Sequence, residues 1–347
     1  MDVVIDPARV LRPVFIAVLA VFIASTLPLG AQTQTPIKFL LDSKIEGPSA
    51  PVFVAIDKGY FKNENLNISV DPSENSLETI KKVATGEYDI GFGDINMLIK
   101  FRDQNPQMPL KAVFMVYNRP AYSIVGRKSR GIMKPKDLEG KKLGAPTDDG
   151  TFAQWKIFTR TTGIDESKVT IENIGLPVRA PMLAAGQIDA ATGSSFNTYL
   201  NLKDLGVPAD DITLMLMSDY GVDLYGNTIF VGKKFAEENP EFVKAFLRAF
   251  TRGLKDTVAN SSRAIESVIK RNDVLRKDLE LERLKMVIRD NILTPEVKAM
   301  GYGGVDLERL EKALDQIAIT YEFKEKPKAA DIFDSSFLPP LAQRKTN

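Results

Sequence analysis

The chain has 347 residues, 44% apolar and 26% charged, with 46 Lys plus Arg against 45 Asp plus Glu for a formal net charge of +1. The length suggests two domains and the composition a globular protein, and the balanced charge, with no basic stripe interleaved with aromatics, argues against nucleic-acid binding. Cysteine and histidine are both absent, which excludes disulfides, thiolate nucleophiles, a lipid-modified cysteine, Ser-His-Asp or Cys-His catalysis and His-ligated metals.

The N-terminus, residues 1–31, reads as a signal peptide. Arg9 and Arg12 precede an apolar run from Val14 to Ala24. That run is too short to span a bilayer, which takes about 20 residues. Ser25, Pro28, Gly30 and Ala31 follow, so cleavage is expected after Ala31, although Leu29 fits the cleavage pattern poorly. An uncleaved anchor is the alternative.

Ile37, Phe39 and Leu41 then alternate as in a strand. A polar loop over 42–50 leads to a helix over 51–58, stopped by Gly59. A strand is expected over 66–70, then a turn at Ser73-Glu74-Asn75-Ser76 that caps a helix over 77–85. A strand over 89–92 follows, with Asp94 able to cap the next helix. The apolar runs of 110–127 flank Asn118-Arg119-Pro120, and the proline suggests an extended crossing to a second lobe. There a polar turn over 147–151 precedes a helix over 152–161, and a strand is expected over 169–174. Strands over 212–217 and 228–232 enclose a return crossing at 219–227. Beyond it Asn239 is placed as an N-cap with Pro240 in the first turn. Val243, Phe246, Leu247, Phe250 and Leu254 share one helical face, and helices over 279–292 and 307–321 complete the pattern.

One six-residue pattern occurs twice, as Ala84-Thr85-Gly86-Glu87-Tyr88-Asp89 and Ala184-Ala185-Gly186-Gln187-Ile188-Asp189. Each copy reads as helix, glycine stop, strand, polar turn, helix, which suggests two similar α/β lobes. Polar turns at the carboxyl ends of strands are where open α/β sheets bind ligands. The first lobe offers Asp42, Ser43, Glu46, Ser49, Glu74, Asn75, Ser76, Asp94 and Asn96 for ligand binding. The second offers Thr147, Asp149, Thr151, Ser194, Ser195 and Phe196, and the return crossing offers Asp223, Tyr225 and Asn227. Helix capping is the alternative role for Asp94 and Asp149.

Asp42, Glu46, Glu74, Asp94, Asp148, Asp149 and Asp223 make these turns acidic. Arg119 and Arg179 are the nearby arginines, and neither falls clearly in a cleft-facing loop. A small inorganic anion would want arginine or several free backbone donors. The pattern therefore favours an organic ligand with N–H donors or positive charge, a heterocycle or an amine, with an organic acid or sulfonate as the alternative. Trp155 is read as a core residue, with ligand stacking as its alternative. No catalytic residue, metal or cofactor is expected, and there is no phosphate-binding glycine loop.

Ala55-Ile56-Asp57-Lys58-Gly59-Tyr60-Phe61 resembles the segment after the first binding loop of periplasmic substrate-binding proteins of the nitrate, sulfonate and taurine type, a family that includes carriers of thiamine-pyrimidine precursors. Asp137-Leu138-Glu139-Gly140-Lys141-Lys142-Leu143-Gly144 is similar to that family's start of the second lobe. Ala185-Gly186-Gln187-Ile188-Asp189-Ala190, Glu238-Asn239-Pro240-Glu241 and Phe337-Leu338-Pro339-Pro340 are also similar. The resemblance implies a two-lobed, type II-like periplasmic-binding-protein fold, each lobe a mixed sheet flanked by helices with the ligand cleft between them. Lobe 1 would take residues 35–122 plus 223–340 and lobe 2 residues 123–222. It further implies a periplasmic, monomeric, non-enzymatic carrier that delivers a small organic solute to an ABC importer, a membrane permease with its ATPase. Members of the wider group that make the thiamine pyrimidine rely on histidine and cysteines, which this chain lacks. An enzyme using carboxylate acid–base chemistry on the same fold, or a sensor that presents ligand to a receptor, are the alternatives.

Overall fold

Two five-stranded sheets organise the molecule, a computed structural model that describes residues 1–2, 34–146 and 149–346. The expected signal segment, its cleavage site, Thr147 and Asp148 lie outside the described residues. No described helix is long and apolar enough to cross a membrane.

The strands are β1 (Thr35–Leu40), β2 (Leu66–Asp71), β3 (Ile90–Asp94), β4 (Leu110–Met115), β5 (Tyr122–Arg127), β6 (Lys142–Ala145), β7 (Thr170–Asn173), β8 (Ala190–Ser194), β9 (Ile212–Leu216) and β10 (Asn227–Gly232). The first sheet runs β2-β1-β3-β10-β4 and the second β7-β6-β8-β5-β9. In each, three parallel strands are followed by an antiparallel one, β10 beside β3 and β5 beside β8. The chain exchanges strands between the sheets: β5 enters the second and β10 returns to the first. Helices cover both sheets, so the fold is a two-lobed α/β structure, each lobe a mixed sheet flanked by helices.

The segment 110–127, expected as one extended crossing, is instead two strands. β4 belongs to the first sheet and β5 to the second, and only residues 116–121 cross. Pro120, which cannot donate to a ladder, falls in the gap between them. Asn239 stands at the N-cap with Pro240 in the first turn as expected, but its side chain accepts no helix N–H; Nδ2 donates back to the Phe235 carbonyl at 3.3 Å. The helix it precedes, Pro240–Ala259, buries Val243, Phe246, Leu247, Phe250 and Leu254 as the periodicity requires. Phe246 packs on Phe39 of β1 and on Phe61, with ring centroids 5.1 Å apart in each pair. The expected helix over 279–292 is Lys277–Val287 followed by a wider turn, Ile288–Ile292. Helices Ser261–Ile269 and Pro295–Met300 were not anticipated from the pattern.

The six-residue repeat has a structural reason in each lobe. Gly86 and Gly186 have φ of 78° and 70°, the left-handed conformation that ends a helix. The aspartate then clamps the neighbouring parallel strand. Asp89 Oδ2 accepts the Lys38 N–H at 2.8 Å, and Asp189 Oδ2 accepts the Lys142 N–H at 2.9 Å. The backbone closes the reciprocal bond each time, from Asp89 N–H to the Lys38 carbonyl and from Asp189 N–H to the Lys142 carbonyl. This clamp fixes where β3 and β8 start, and so where their far ends reach the cleft.

Asp189 also accepts from Arg130 Nη2 at 3.1 Å. Asp189→Ala is expected to lower stability by about 1–3 kcal/mol, the cost of leaving a strand-end N–H and its neighbours without their acceptor. Asp189→Asn, which keeps an acceptor oxygen, should lose less. Urea unfolding midpoints of the two variants against wild type check the order.

Candidate functional site

A cavity of about 790 Å³ is walled by residues at the strand ends of both sheets. From the first sheet come Asp42, Ser43, Glu46 and Ser49 after β1, Glu74, Asn75 and Ser76 after β2, Asp94 at the end of β3 and Asn227 at the start of β10. From the second come Asp149 and Thr151 after β6, with Ser194 and Phe196 at the end of β8.

Four of the other nominated residues do not reach the cavity. Asn96 is buried behind Asp94, donating from Nδ2 to Tyr122 Oη at 2.9 Å and to the Tyr225 carbonyl at 2.8 Å. Ser195 turns inward, its N–H bonded to the Ala121 carbonyl. Asp223 is held by Arg309 Nε at 2.8 Å on the far side of the return crossing. Tyr225 is fully buried and donates to Glu296 Oε1 at 2.6 Å. The crossing runs from the cleft into the body of the molecule, so only its last residue, Asn227, faces the cavity.

The cavity floor is a hydrogen-bonded chain of side chains. Asn227 Nδ2 donates to Asp42 Oδ2 at 2.6 Å, and Ser76 Oγ donates to the same oxygen at 2.8 Å. Ser76 Oγ in turn accepts the Asp94 N–H at 3.1 Å. Asp94 does cap its helix: Oδ1 accepts the Asn96 and Met97 N–H groups at 2.7 and 3.0 Å. Its Oδ2 accepts from the Tyr122 hydroxyl, at the first residue of β5. One carboxylate thus serves a helix of the first lobe and a strand of the second.

Burial pushes the Asp42 carboxyl up to about 6; the bonds from Ser76 and Asn227 hold it down, and the charge of Asp94 adds to the rise. Burial also raises Asp94 against the pull of Tyr122 and the two helix N–H groups, and raises Glu46. The Tyr122 hydroxyl is pushed well above its usual value by burial and by Asp94.

Several wall residues were missed by sequence reasoning. Tyr117, within the first crossing, Tyr122, just after it, and Phe92 are among them; with the nominated Phe196, Phe92 and Tyr117 form an edge-to-face row, with centroids 5.5 and 6.4 Å apart, that spans the two lobes. Residues 173–177, after β7, also line the cavity; the strand-end rule applied to β7 would have found them. Arg179 is the main correction. Set aside in the sequence, it faces the cavity, 9% exposed, with Nη1 at 3.7 Å from Asp149 Oδ2. Arg119 is elsewhere, bonded through Nη2 to Ser218 Oγ at 2.7 Å and paired with Asp219, which ties the two crossings together. Trp155 is a core residue, 6% exposed against Phe158, and does not line the cavity.

Comparison with known proteins fits this geometry. Residues 47–264 match the family described as NMT1/THI5 like. The chain belongs to the NMT1/THI5-like family. Riboflavin-binding protein RibY of Chloroflexus aurantiacus is 27% identical over 62% of this chain and 61% of its own length, so the match spans less than two thirds of that relative. The formylaminopyrimidine-binding protein of Halalkalibacterium halodurans is 25% identical over 82% of this chain and 85% of its own. A 4-amino-5-hydroxymethyl-2-methylpyrimidine phosphate synthase, THI13 of Saccharomyces cerevisiae, is 24% identical over 71% and 74%. Among solved structures, the periplasmic aliphatic sulphonate binding protein SsuA of Escherichia coli superimposes with a TM-score of 0.70 at 15% identity, covering 88% of this chain and 94% of its own. That likeness shows the shared fold.

The Tyr122 hydroxyl is the joint between the lobes at the cavity floor. Tyr122→Phe leaves the buried Asp94 Oδ2 without this donor and is expected to cost about 1–3 kcal/mol. A thermal melt with a matched Tyr88→Phe control, whose hydroxyl bonds Asp71 on the exposed surface, should show the larger loss at Tyr122.

Proposed function

We propose that this protein is an exported carrier that captures a small organic solute, a nitrogen heterocycle or amine, between its lobes and delivers it to an ABC importer. The observation that carries this reading is the cavity itself: polar strand ends from both sheets converge on one space, with a row of aromatic rings along its wall. Such a site orients a ligand by its few polar groups and buries it against rings. The lobes on this reading are 35–122 with 223–340, and 123–222, with Tyr122 the boundary residue that already opens β5 of the second sheet. They close by rotation about the crossings at 116–121 and 217–226. The signal peptide of residues 1–31 would deliver a monomer to the periplasm, where the importer's permease and ATPase complete the pathway.

The choice of ligand rests on Asp42. Its carboxylate stands at the cavity wall, already receiving one amide and one hydroxyl. It suits a ligand that presents N–H donors. The relatives named for riboflavin and for formylaminopyrimidine point to the same class. The synthase relatives favour a second reading, an enzyme on this fold. With no histidine in the chain, proton transfer at the cavity would fall to a carboxylate such as Asp94 or Asp42, to Lys44 or to a tyrosine.

Native mass spectrometry of protein purified from the producing cell, followed by a thermal-shift screen of nitrogen heterocycles, tests the carrier reading. A bound heterocycle recovered unchanged after prolonged incubation supports it; steady conversion to a product supports the enzyme. N-terminal sequencing of the same sample should begin close to residue 32, and a start at Met1 with membrane retention would count against export.

A pH dependence follows from Asp42. Its raised folded value means the free protein holds a proton there below about pH 6. A ligand N–H needs the ionised form, so affinity should be full above that value and fall as pH drops through it. Between pH 7.5 and pH 5 the loss should be about tenfold. Calorimetric titration of the screened ligand at both values measures it, and Asp42→Asn should flatten the profile.

A further inference from the structure

Tyr117, a wall residue that the sequence did not nominate, carries a polar atom without a partner. It is 3% exposed, lines the cavity and forms no hydrogen bond through its hydroxyl among the described residues. That oxygen is not one of the unpartnered polar atoms sealed in the interior, so the surface it keeps opens on the cavity. The charges of Asp42 and Glu46 both hold the hydroxyl's proton on, which puts the oxygen on the side of these two carboxylates. Both carboxylates are open to the same space. Asp42 is partly exposed, and its hydrogen bonds from Ser76 and Asn227 both fall on Oδ2, which leaves Oδ1 without a donor from another residue. The Glu46 side chain is 24% exposed, and its basic neighbour Arg283 stands 3.9 Å away.

The charges around these groups do not balance. Asp42, Glu46, Glu74, Asp94 and Asp149 line the cavity, against Lys44 and Arg179 as the basic residues of its wall. Arg179 is paired with Asp149. Lys44 is exposed and forms no ion pair among the described residues. Asp94 is satisfied by the Tyr122 hydroxyl and its helix N–H groups. Asp42 has neutral donors alone and no ion pair among the described residues. Burial raises both Asp42 and Glu46, the response of carboxylates that lose water without gaining enough opposite charge. A ligand that fills the cavity removes more of that water. A neutral ligand leaves the two carboxylates to bear the loss, whereas a cation offsets it. Phe92 and Phe196, beside Tyr117 on the wall, add aromatic surface of the kind that attracts positive charge.

We propose that the first-lobe side of the cavity is a cation site, in which Asp42 and Glu46 hold a positively charged nitrogen of the ligand and the Tyr117 hydroxyl accepts one of its N–H groups. The proposal rests on the reading that the cavity holds a small organic solute, and it assigns that solute's charge. The class is a nitrogen heterocycle that carries a protonated amine or an amidinium, not a neutral ring and not an acid. Such a group presents several N–H donors and no acceptor, which suits two carboxylates. The phenol can accept from one of those donors while donating its own proton to a carboxylate oxygen.

Three probes that differ in charge on one ring test this by calorimetric titration of the full mature chain at pH 7.5: 3-(aminomethyl)pyridine as the cation, 3-(hydroxymethyl)pyridine as the neutral form and pyridine-3-carboxylate as the anion. The cation should bind about tenfold or more tightly than the alcohol, and the carboxylate most weakly. Asp42→Asn and Glu46→Gln keep the shape of each side chain and remove its charge, and each should reduce the cation-to-alcohol ratio by about fivefold. Tyr117→Phe keeps the ring and removes a hydroxyl that the free protein leaves unbonded. It should leave the melting temperature of the free protein unchanged while weakening the cation by about fivefold. Melting curves of the carboxylate variants confirm that they are folded at the temperature used. Equal binding of the cation and the alcohol by wild type overturns the proposal, as does an undiminished ratio in both carboxylate variants. A lowered melting temperature with unchanged affinity in Tyr117→Phe overturns the hydroxyl's part in it. Tighter binding of the alcohol or the carboxylate overturns the charge assignment and leaves the heterocycle reading of the cavity standing. Failure of all three probes to bind wild type at millimolar concentration overturns the cation site and that reading together.

Discussion

Asp94 is a carboxylate buried where two sheets meet, and a buried carboxylate has to be satisfied or neutralised. Here it is satisfied from two directions at once. One oxygen takes the N–H groups that open the helix Ile95–Gln104, and the other takes the hydroxyl of Tyr122 at the start of β5. The first set is local and would exist in the first lobe alone. The second exists only when the chain has crossed and begun the other sheet. The cavity floor is therefore tied to the relative position of the lobes, and through Ser76 the tie runs on to Asp42 and Asn227. Acid residues that look excessive in a list of loop residues are, in place, the junctions of this chain.

The same placement separates the cavity chemically. Its first-lobe wall is rich in acceptors already engaged on one side, above all Asp42. Its second-lobe wall carries Arg179, paired with Asp149, together with Thr151 and Ser194. Between them the rings of Phe92, Tyr117 and Phe196 give apolar surface with edge-to-face order.

Much of the fold was legible because it is local. The two copies of Ala-x-Gly-x-x-Asp announce a helix end and a strand start within six residues, and Gly86 and Gly186 adopt the left-handed conformation that such a stop needs. The strand-end turns were legible for the same reason, and most of those nominated do line the cavity. What escaped the sequence depends on long-range geometry. Asn96 and Ser195 follow cleft-facing residues by one or two positions, yet one helical step turns them into the core. Asp223 and Tyr225 were placed by the crossing's position, but the direction of that crossing is set by Arg309 and Glu296, far along the chain. Arg179 did not fall clearly in a cleft-facing loop; its place beside the cavity depends on the absence of a side chain at Gly193, which lies on a different element.

The lobes also meet on the side away from the crossings, through helices Ser195–Asp204 and Lys277–Val287. Lys203 pairs with Glu282 at 2.6 Å and Arg276 with Asp204 at 2.5 Å, all four being partly exposed. Exposed pairs of this kind contribute about 0–1 kcal/mol each and are screened by salt, so they guide the lobes more than they hold them. Arg283 is different. It is 3% exposed and paired with Glu280 in its own helix, so its charge is compensated locally, and it also reaches Asn197 Oδ1 of the other lobe. Asn197 lines the cavity immediately after Phe196. One turn of helix thus touches both the cavity and a first-lobe arginine. On the carrier reading, a ligand that orders this turn strengthens the interlobe contact, and the closed form gains only what the ligand's contacts add over the open one. Affinity and closure are then one free energy, divided between Asp42 on one lobe and the Phe196–Asn197 turn on the other.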